Sequence, residues 1–86
     1  MIISVITKFY KNVYLEQKVF KDNCACACEN IIGWLKDAAL DYDLSYKEVK
    51  TIENFIRTEL YYGNSKGKTY YIEDHQLIYN EFQIKE

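Results

Sequence analysis

Proline is absent from the 86-residue sequence, glycine occurs three times and histidine once. Average usage would supply about four prolines in a chain of this length. The glycines stand apart, without the spacing of a phosphate-binding loop or a dinucleotide-binding turn. A Ser–His or Cys–His nucleophilic pair could use only His75, which we expect in an exposed hairpin turn, where a preorganised site is difficult to build. The sequence therefore predicts no catalytic residue, no cofactor and no enzymatic activity.

Long apolar runs are also missing. No segment approaches the roughly 20 apolar residues that span a bilayer, so no membrane partner is expected. The first residues, MIISVITKFYK, lack the order of charges and small residues found in a signal peptide. Three cysteines, an odd number, suit a reducing compartment better than a disulfide framework. The sequence predicts a single cytoplasmic domain over residues 1–86.

Charge is nearly balanced overall but unevenly distributed. The net charge is −2, yet residues 1–21 carry four lysines against one glutamate, a balance of +3. Residues 22–62 carry eight acidic against four basic residues, a balance of −4. A weakly acidic chain is a poor candidate for nonspecific nucleic-acid binding, although a local basic face stays open. Lysine outnumbers arginine ten to one and residues with A/T-rich codons are abundant, which favours a phage or mobile element of a low-GC bacterium as the source.

The segment DLSYKEVKTIENFIRTELYYG predicts the second of two helices. Ser45 as N-cap and Glu48 three residues later form the pattern of a capping box, and Gly63 is the expected stop. Glu53 and Arg57 are spaced to pair on the polar side. The apolar residues recur at helical spacing and predict one buried stripe: Tyr46, Val49, Ile52, Ile56 and Leu60.

The first helix is expected from about residue 23 to residue 41, with Asp22 or Asn23 as its cap. Gly33 lies inside it, which costs about 1 kcal/mol relative to alanine and suggests a closely approaching backbone. The apolar residues again share one stripe: Cys24, Cys28, Ile31, Ile32, Leu35, Ala38, Ala39 and Tyr42.

The N-terminal segments IISVITKFY and VYLEQKVF are rich in β-branched and aromatic residues and predict a hairpin turning at Lys11–Asn12. A three-residue loop would give a single buried face and would set Lys8 opposite Glu16 and Tyr10 opposite Tyr14 on the other face. The residues then expected to face the core are Ile3, Val5, Phe9, Leu15 and Val19.

The C-terminal segment KTYYIEDHQLIYNEFQIKE predicts a second hairpin, which turns near Asp74–His75. Its inward residues are expected to be Ile72, Ile78, Phe82 and Ile84, and its outward residues Thr69, Tyr71, Tyr79 and Glu81. The element order is therefore β-β-α-α-β-β. We predict an α+β fold in which two helices pack on one face of an antiparallel sheet built from two hairpins.

All three cysteines lie in the stretch KDNCACACEN. On a helix, where successive residues rotate by about 100°, Cys24 and Cys28 share one face while Cys26 points nearly the opposite way. Because a metal needs its sulfur ligands to converge on one point, the helix predicts small core residues and no metal. Metal binding through the three thiols and a redox or disulfide role for Cys26 stay open as alternatives.

Acidic residues cluster where the first helix ends, at Asp37, Asp41 and Asp43. Acids at this position oppose the helix dipole, so they form either a solvated face or an acidic patch for a basic partner. The segment DYDLSYKE begins like a calcium loop, but the required glycine and the closing glutamate are replaced by Tyr46 and Ile52.

Tyrosine is the most unusual feature, with nine residues in the chain. Tyrosine suits strands by propensity alone, but it also supplies rigid contact area at protein interfaces. Tyr61 and Tyr62 would extend such a surface. The expected registers place the candidate partner-binding residues on the outer sheet face: Lys8, Tyr10, Tyr14, Lys18, Tyr71 and Tyr79.

We therefore expect a non-enzymatic protein that acts by binding a larger host protein, as an inhibitor or adaptor. Its size and composition are typical of phage-encoded inhibitors such as anti-CRISPR proteins, although no motif identifies such a family. Nucleic-acid binding through the basic, tyrosine-rich sheet face is the alternative. A homodimer is a further alternative, since a terminal strand such as 2–10 or 77–84 would offer a free edge to a second copy.

Overall fold

The computed structural model describes residues 1–62 and 67–85, with the side chains of residues 61 and 62 left out. The expected order of elements is confirmed, and the predicted stop at Gly63 lies outside the described residues. The elements are β1 (Ile2–Tyr10), β2 (Val13–Lys21), α1 (Cys24–Asp41), α2 (Tyr46–Tyr62), β3 (Gly67–Ile72) and β4 (His75–Gln83).

The first hairpin turns over two residues, not three. Lys11 and Asn12 both have positive φ, at 49° and 66°, as in the two-residue turns whose twist matches that of the strands. A β-bulge then shifts the register, because Lys8 pairs with Glu16 whereas the next residue, Phe9, pairs with Tyr14. The Lys8–Glu16 prediction is confirmed, and the Tyr10–Tyr14 prediction is wrong because Tyr10 lies opposite Val13.

The two hairpins meet through their terminal strands. The sheet order is β2-β1-β4-β3, and β1 pairs with β4 in antiparallel register from Ile2–Gln83 to Tyr10–His75. The prediction that segment 2–10 or 77–84 offers a free edge is therefore wrong, because these two strands occupy the centre. The edges of the sheet are β2 and β3.

The helices cover the face of the sheet opposite to the one expected. The buried residues Ser4 and Ile6 of β1 lie beside Leu77 and Tyr79 of β4, and Tyr70 continues the same face on β3. Ile72 faces inward, as predicted. Most of the other residues predicted to face the core lie on the opposite side of the sheet from the helices; they are Ile3, Val5, Phe9, Val19, Ile78 and Phe82. Leu15 and Ile84 were also predicted to face the core, and both are exposed.

Helix α1 lies on the sheet and α2 packs along α1. Helix α1 contacts β1, β2, β3 and α2, and its buried residues lie on one broad side of the helix, which faces both the sheet and α2. The helix caps form as predicted. Asn23 Oδ1 accepts a hydrogen bond from the Cys26 amide at 3.1 Å, and Ser45 and Glu48 exchange the two hydrogen bonds of a capping box at 3.0 and 3.2 Å.

Gly33 does not mark a close backbone approach, which corrects the sequence-based expectation. A Cβ atom built on Gly33 meets nothing within 4 Å, and the residue is exposed. We therefore expect Gly33→Ala to raise the free energy of unfolding by about 1 kcal/mol, because alanine lowers the backbone entropy of the unfolded chain at no steric cost. Urea denaturation of both proteins measures the difference, and a destabilised variant would contradict the open space at this position.

Candidate interaction surface

The side of the sheet turned away from the helices, here called the outer face, is uncovered among the described residues. Its rows follow from the strand pairing; Val19, Val5 and Asn80 form one row, and Tyr14, Phe9, Gln76 and Tyr71 form another. The apolar and aromatic members are Ile3, Val5, Phe9, Tyr14, Val19, Tyr71, Ile78 and Phe82. Exposed fractions reach 54% at Val19 and 53% at Phe82, so large apolar side chains meet solvent here.

Charge is nearly absent from the outer face. Lys21, at the far corner opposite Ile3, is the charged residue among its described rows. The neutral polar side chains pair with each other across strands. Gln17 Nε2 donates to Thr7 Oγ1 at 3.1 Å, and Gln76 Nε2 donates to Tyr71 Oη at 3.3 Å. These hydrogen bonds satisfy polar groups within the outer face, so the surface offered to a partner is mostly apolar.

The aromatic groups of the outer face are held by their neighbours. The Phe9 and Tyr14 rings pack edge to face, with centroids 6.2 Å apart and planes at 76°. Val5, Val19 and Ile78 are β-branched and have few accessible rotamers on a strand. A partner would therefore meet side chains that are already ordered, which lowers the entropic cost of binding.

The six residues predicted to form one binding surface are divided between the two faces. Tyr14 and Tyr71 lie on the outer face, with exposed fractions of 57% and 67%. Tyr79 is buried in the core at 1% exposure, where its ring cannot reach a partner. Burial raises the pKa of Tyr79 to about 12 from its ordinary value of 10.0.

The other three predicted residues lie on the helix side of the sheet. The Lys8 side chain is 12% exposed, and its ammonium donates to Glu16 Oε1 at 2.9 Å. Lys18 is exposed opposite Ile6 on the edge strand. Tyr10 stacks against His75 with ring centroids 4.7 Å apart. The bulge in β2 separates Tyr10 from Tyr14 and accounts for part of this division.

The acidic residues at the end of α1, Asp37, Asp41 and Asp43, are all exposed, and Asp41 also contacts His75. Asp41 Oδ2 lies 3.0 Å from His75 Nε2, and the His75 side chain is only 15% exposed, so the expectation of an exposed turn histidine is wrong. Tyr42 donates a hydrogen bond to Asp74 Oδ2 at 3.1 Å. Asp37 and Asp43 remain exposed. The cluster of Asp41, Tyr42, Asp74 and His75 fastens the end of α1 to the β3–β4 turn.

The three cysteines lie in helix α1, as predicted, but Cys24 and Cys28 differ in burial. Cys28 is buried, as predicted, whereas Cys24 is exposed, contrary to the prediction that it packs in the core, and Cys26 is also exposed. Within residues 1–62 and 67–85, no group of three or more histidine, cysteine, aspartate or glutamate side chains is arranged to hold a metal ion.

A groove between α1 and α2 was not expected from the sequence. It has a volume of about 330 Å³ and lies beside Leu40 and Tyr46, whose exposed fractions are 82% and 80%. The prediction that Tyr46 belongs to the buried stripe of α2 is therefore wrong. Lys36 and Lys50 line its rim, and their ammonium nitrogens lie 3.8 and 3.3 Å from the buried carboxylate of Glu53. Leu40 lies outside the predicted apolar stripe of its helix. An apolar residue at that position was the sequence feature that could have indicated an exposed apolar surface here.

The fold and its uncovered face define an α+β protein with two helices on one side of a four-stranded antiparallel sheet. No protein-family model, characterised protein or solved structure matches this chain. Across the described part of the chain, neither helix combines the length and the apolar character needed to cross a membrane.

Proposed function

We propose that this chain is a non-enzymatic protein that acts by binding a partner protein through the outer face of its sheet. The proposal rests on one observation. Apolar and aromatic side chains form adjacent rows on the uncovered outer face, and among the described residues the middle of this face carries no charge. Contiguous apolar patches of this kind are uncommon on soluble monomers and mark interaction sites. Depletion of charge at the centre is also the compositional signature of a protein interface.

The chemistry of the outer face specifies the surface of the partner. Because the outer face is mostly apolar, it complements an aliphatic or aromatic surface of the partner, such as the face of another sheet or the apolar side of a helix. Nucleic acid is the less favoured ligand, since phosphate binding requires lysine or arginine. Of the lysines assigned to the basic face from sequence, Lys8 and Lys18 lie on the helix side, and Lys8 is paired with Glu16.

The biological role that we propose is that of a small cytoplasmic inhibitor or adaptor that occupies the surface of a larger host protein. A phage or mobile element of a low-GC bacterium is the proposed source, and an anti-CRISPR-like activity is one form the inhibition would take. The support is the lysine-rich and arginine-poor composition and the uncovered outer face.

Lysine substitutions on the outer face test the proposal. We expect the double variant Val5→Lys/Ile78→Lys to bind the partner at least about 30-fold more weakly than the wild type, because two charges are then buried without counterions. The control is Leu40→Lys, which places the same charge on an exposed apolar position of α1 and should retain binding. The partner is first captured from cells of a candidate host and then purified, so that both affinities are measured with defined components.

Two properties of the purified complex distinguish this mode of binding. Burial of the outer face gives a negative heat-capacity change in calorimetry, and a charge-free interface gives a weak dependence on salt. Equal affinities for the wild type and the double variant would refute the outer face as the binding surface. If the binding affinity falls steeply as the salt concentration rises, and the protein also binds oligonucleotides, the nucleic-acid alternative is favoured.

A further inference from the structure

Strand β2 offers a long free edge. It forms one border of the sheet, spans nine residues and contains no proline, so the described structure leaves one side of its backbone without a neighbouring strand. Its apolar side chains are unusually open. The exposed fractions are 62% at Val13, 57% at Tyr14, 55% at Leu15 and 54% at Val19. Such an edge is a template for pairing with another strand.

We infer that β2 pairs in antiparallel fashion with β2 of a second copy of this chain, about a two-fold axis at Gln17. Residues that face each other across an antiparallel pair point to the same side of the sheet. With the axis at Gln17, Glu16 of each copy lies opposite Lys18 of the other, on the helix side. Val19 falls opposite Leu15, the extra residue of the bulge, so the regular part of the pairing is centred on Glu16, Gln17 and Lys18. This inference goes beyond the proposed partner surface, because it uses the edge of the sheet and not its outer face.

The charge pattern of β2 selects this register among axes through the middle of the strand. An axis at residue 16 would oppose Glu16 to its own copy, and an axis at residue 18 would oppose Lys18 to its own copy. Like charges directly opposite each other are destabilising in a sheet. An axis at Val19 would oppose Lys18 to Phe20 and leave the charge unpaired. The Gln17 axis forms two opposite-charge pairs at once.

The side chains of Glu16 and Lys18 are both accessible for pairing with a second copy. Glu16 is 46% exposed, and its Oε1 atom accepts the Lys8 ammonium at 2.9 Å, which holds the carboxylate in place with its second oxygen available. Lys18 is exposed and makes no hydrogen bond or ion pair within the described residues. The hydrogen bond from Lys8 is also the largest contribution that lowers the pKa of Glu16, so the carboxylate is ionised at neutral pH.

The dimer would join two four-stranded sheets into one sheet of eight strands, with both helix layers on the same side. Because the contact is a single strand edge, its area falls at the low end of specific interfaces, and we expect a dissociation constant on the order of micromolar. The outer faces of the two copies would then form one continuous surface.

Charge reversal tests both the edge and the register. Sedimentation equilibrium of the wild type should show a concentration-dependent rise from 10.3 kDa towards twice that mass. Lys18→Glu places two glutamates at the centre of β2, and Glu16→Lys places two lysines there, so each variant alone should self-associate at least about tenfold more weakly. An equimolar mixture of the two variants pairs glutamates with lysines and should recover the association of the wild type.

Lys21→Glu is the matched control, because it makes the same charge change on the same strand outside the central pairing and should leave the association unchanged. Thermal melting of every variant checks that the fold is retained, which matters most for Glu16→Lys, because Lys8 is only 12% exposed and loses its carboxylate partner in that variant. Lys18→Glu keeps the Lys8–Glu16 pair, so its weaker self-association tests the edge independently. The inference is overturned if the wild type stays at 10.3 kDa up to about millimolar concentration. It is also overturned if the mixture associates no better than its components or if Lys21→Glu is as disruptive as Lys18→Glu.

Discussion

Replacing Tyr79 with alanine is expected to lower the free energy of unfolding by about 3–5 kcal/mol, the range typical of a buried aromatic residue. The ring is 1% exposed and lies in the core between the sheet and α1. Its hydroxyl is 3.3 Å from Ser4 Oγ and donates to Glu81 Oε2 at 2.9 Å. Alanine would leave a cavity and would also remove a hydrogen-bond partner of Ser4, which is completely buried.

Urea denaturation of Tyr79→Ala is best compared with Tyr71→Ala. Tyr71 belongs to the outer face with 67% exposure, and its truncation should cost less than about 1 kcal/mol. Tyr79→Phe separates the hydroxyl from the ring and should cost about 1 kcal/mol, since it leaves Ser4 with one partner fewer. Equal, small effects at positions 71 and 79 would show that Tyr79 is on the surface, where its sequence pattern had placed it.

Replacing Glu53 with alanine is expected to lower the free energy of unfolding by about 1.5–3 kcal/mol. Glu53 is 5% exposed although it carries a charge, and three cations surround it. The shortest nitrogen–oxygen distances are 3.2 Å to Arg57, 3.3 Å to Lys50 and 3.8 Å to Lys36. The pairing of Glu53 with Arg57 was predicted from sequence, but its burial between the helices was not. Without the carboxylate, these cations lose their shared partner at the α1–α2 contact.

The stability of the protein should also depend on Glu53 in acid. Burial alone would raise the pKa of this carboxyl, but the hydrogen bonds from Lys50 and Arg57 and the charge of Lys36 outweigh it and hold the pKa below its ordinary value of 4.5. The folded state therefore binds the proton less tightly than the unfolded state. The contribution is complete above about pH 4.5 and is lost as the pH falls through the lower pKa of the folded protein.

Urea denaturation as a function of pH measures this effect. The wild type should lose stability below pH 4.5, and Glu53→Gln should lose less over the same interval because position 53 no longer titrates. Asp37→Asn is the control, since it removes an exposed carboxylate from the neighbouring helix and should retain the acid-dependent step. A wild type and a Glu53→Gln variant with the same pH dependence would contradict the assigned role of the cations.

The elements were predictable because each is encoded within a few residues. The exchange between Ser45 and Glu48 requires only a three-residue spacing and defines where α2 begins. The position of the first turn, at Lys11 and Asn12, was predicted correctly, whereas its length of two residues, both with positive φ, was not. The helix over the cysteine segment follows from the apolar spacing of residues that share its buried side, such as Cys28 and Ile31.

The face of the sheet that becomes the core was not predictable from such short patterns. On β1, one side carries Ile2 and Ile6, and the other carries Ile3, Val5 and Phe9, so both sides are apolar and alternation does not distinguish them. The polar Ser4 is accommodated in the core because Tyr79, 75 positions later in the chain, supplies a hydrogen-bond partner. A prediction from the local alternation of polar and apolar residues assigns Ser4 to the solvent side and Val5 to the core, which is the reverse of the structure.

The prediction of the candidate interaction surface contained the same error, because it also depended on which face of the sheet is buried. Tyr14 and Tyr71 were correctly placed on the outer face, and the aliphatic part of that face was assigned to the core. The bulge between the Lys8–Glu16 and Phe9–Tyr14 pairs had no clear signature in the residues around it. Since one inserted residue shifts the pairing of all later positions, the predicted register of this hairpin was right at Lys8–Glu16 and wrong between the bulge and the turn.

The sequence by itself determined the order of the strands and helices, the caps of both helices and the position of the first turn, because these features depend on interactions between near neighbours. Only the tertiary structure decided that β1 pairs with β4, that β2 and β3 become the edges, and that the helices cover the side with Ser4 and Tyr79. These choices depend on contacts between distant segments, in which α1 can bury only one of two apolar faces. The face that it leaves uncovered is the surface on which the proposed function depends.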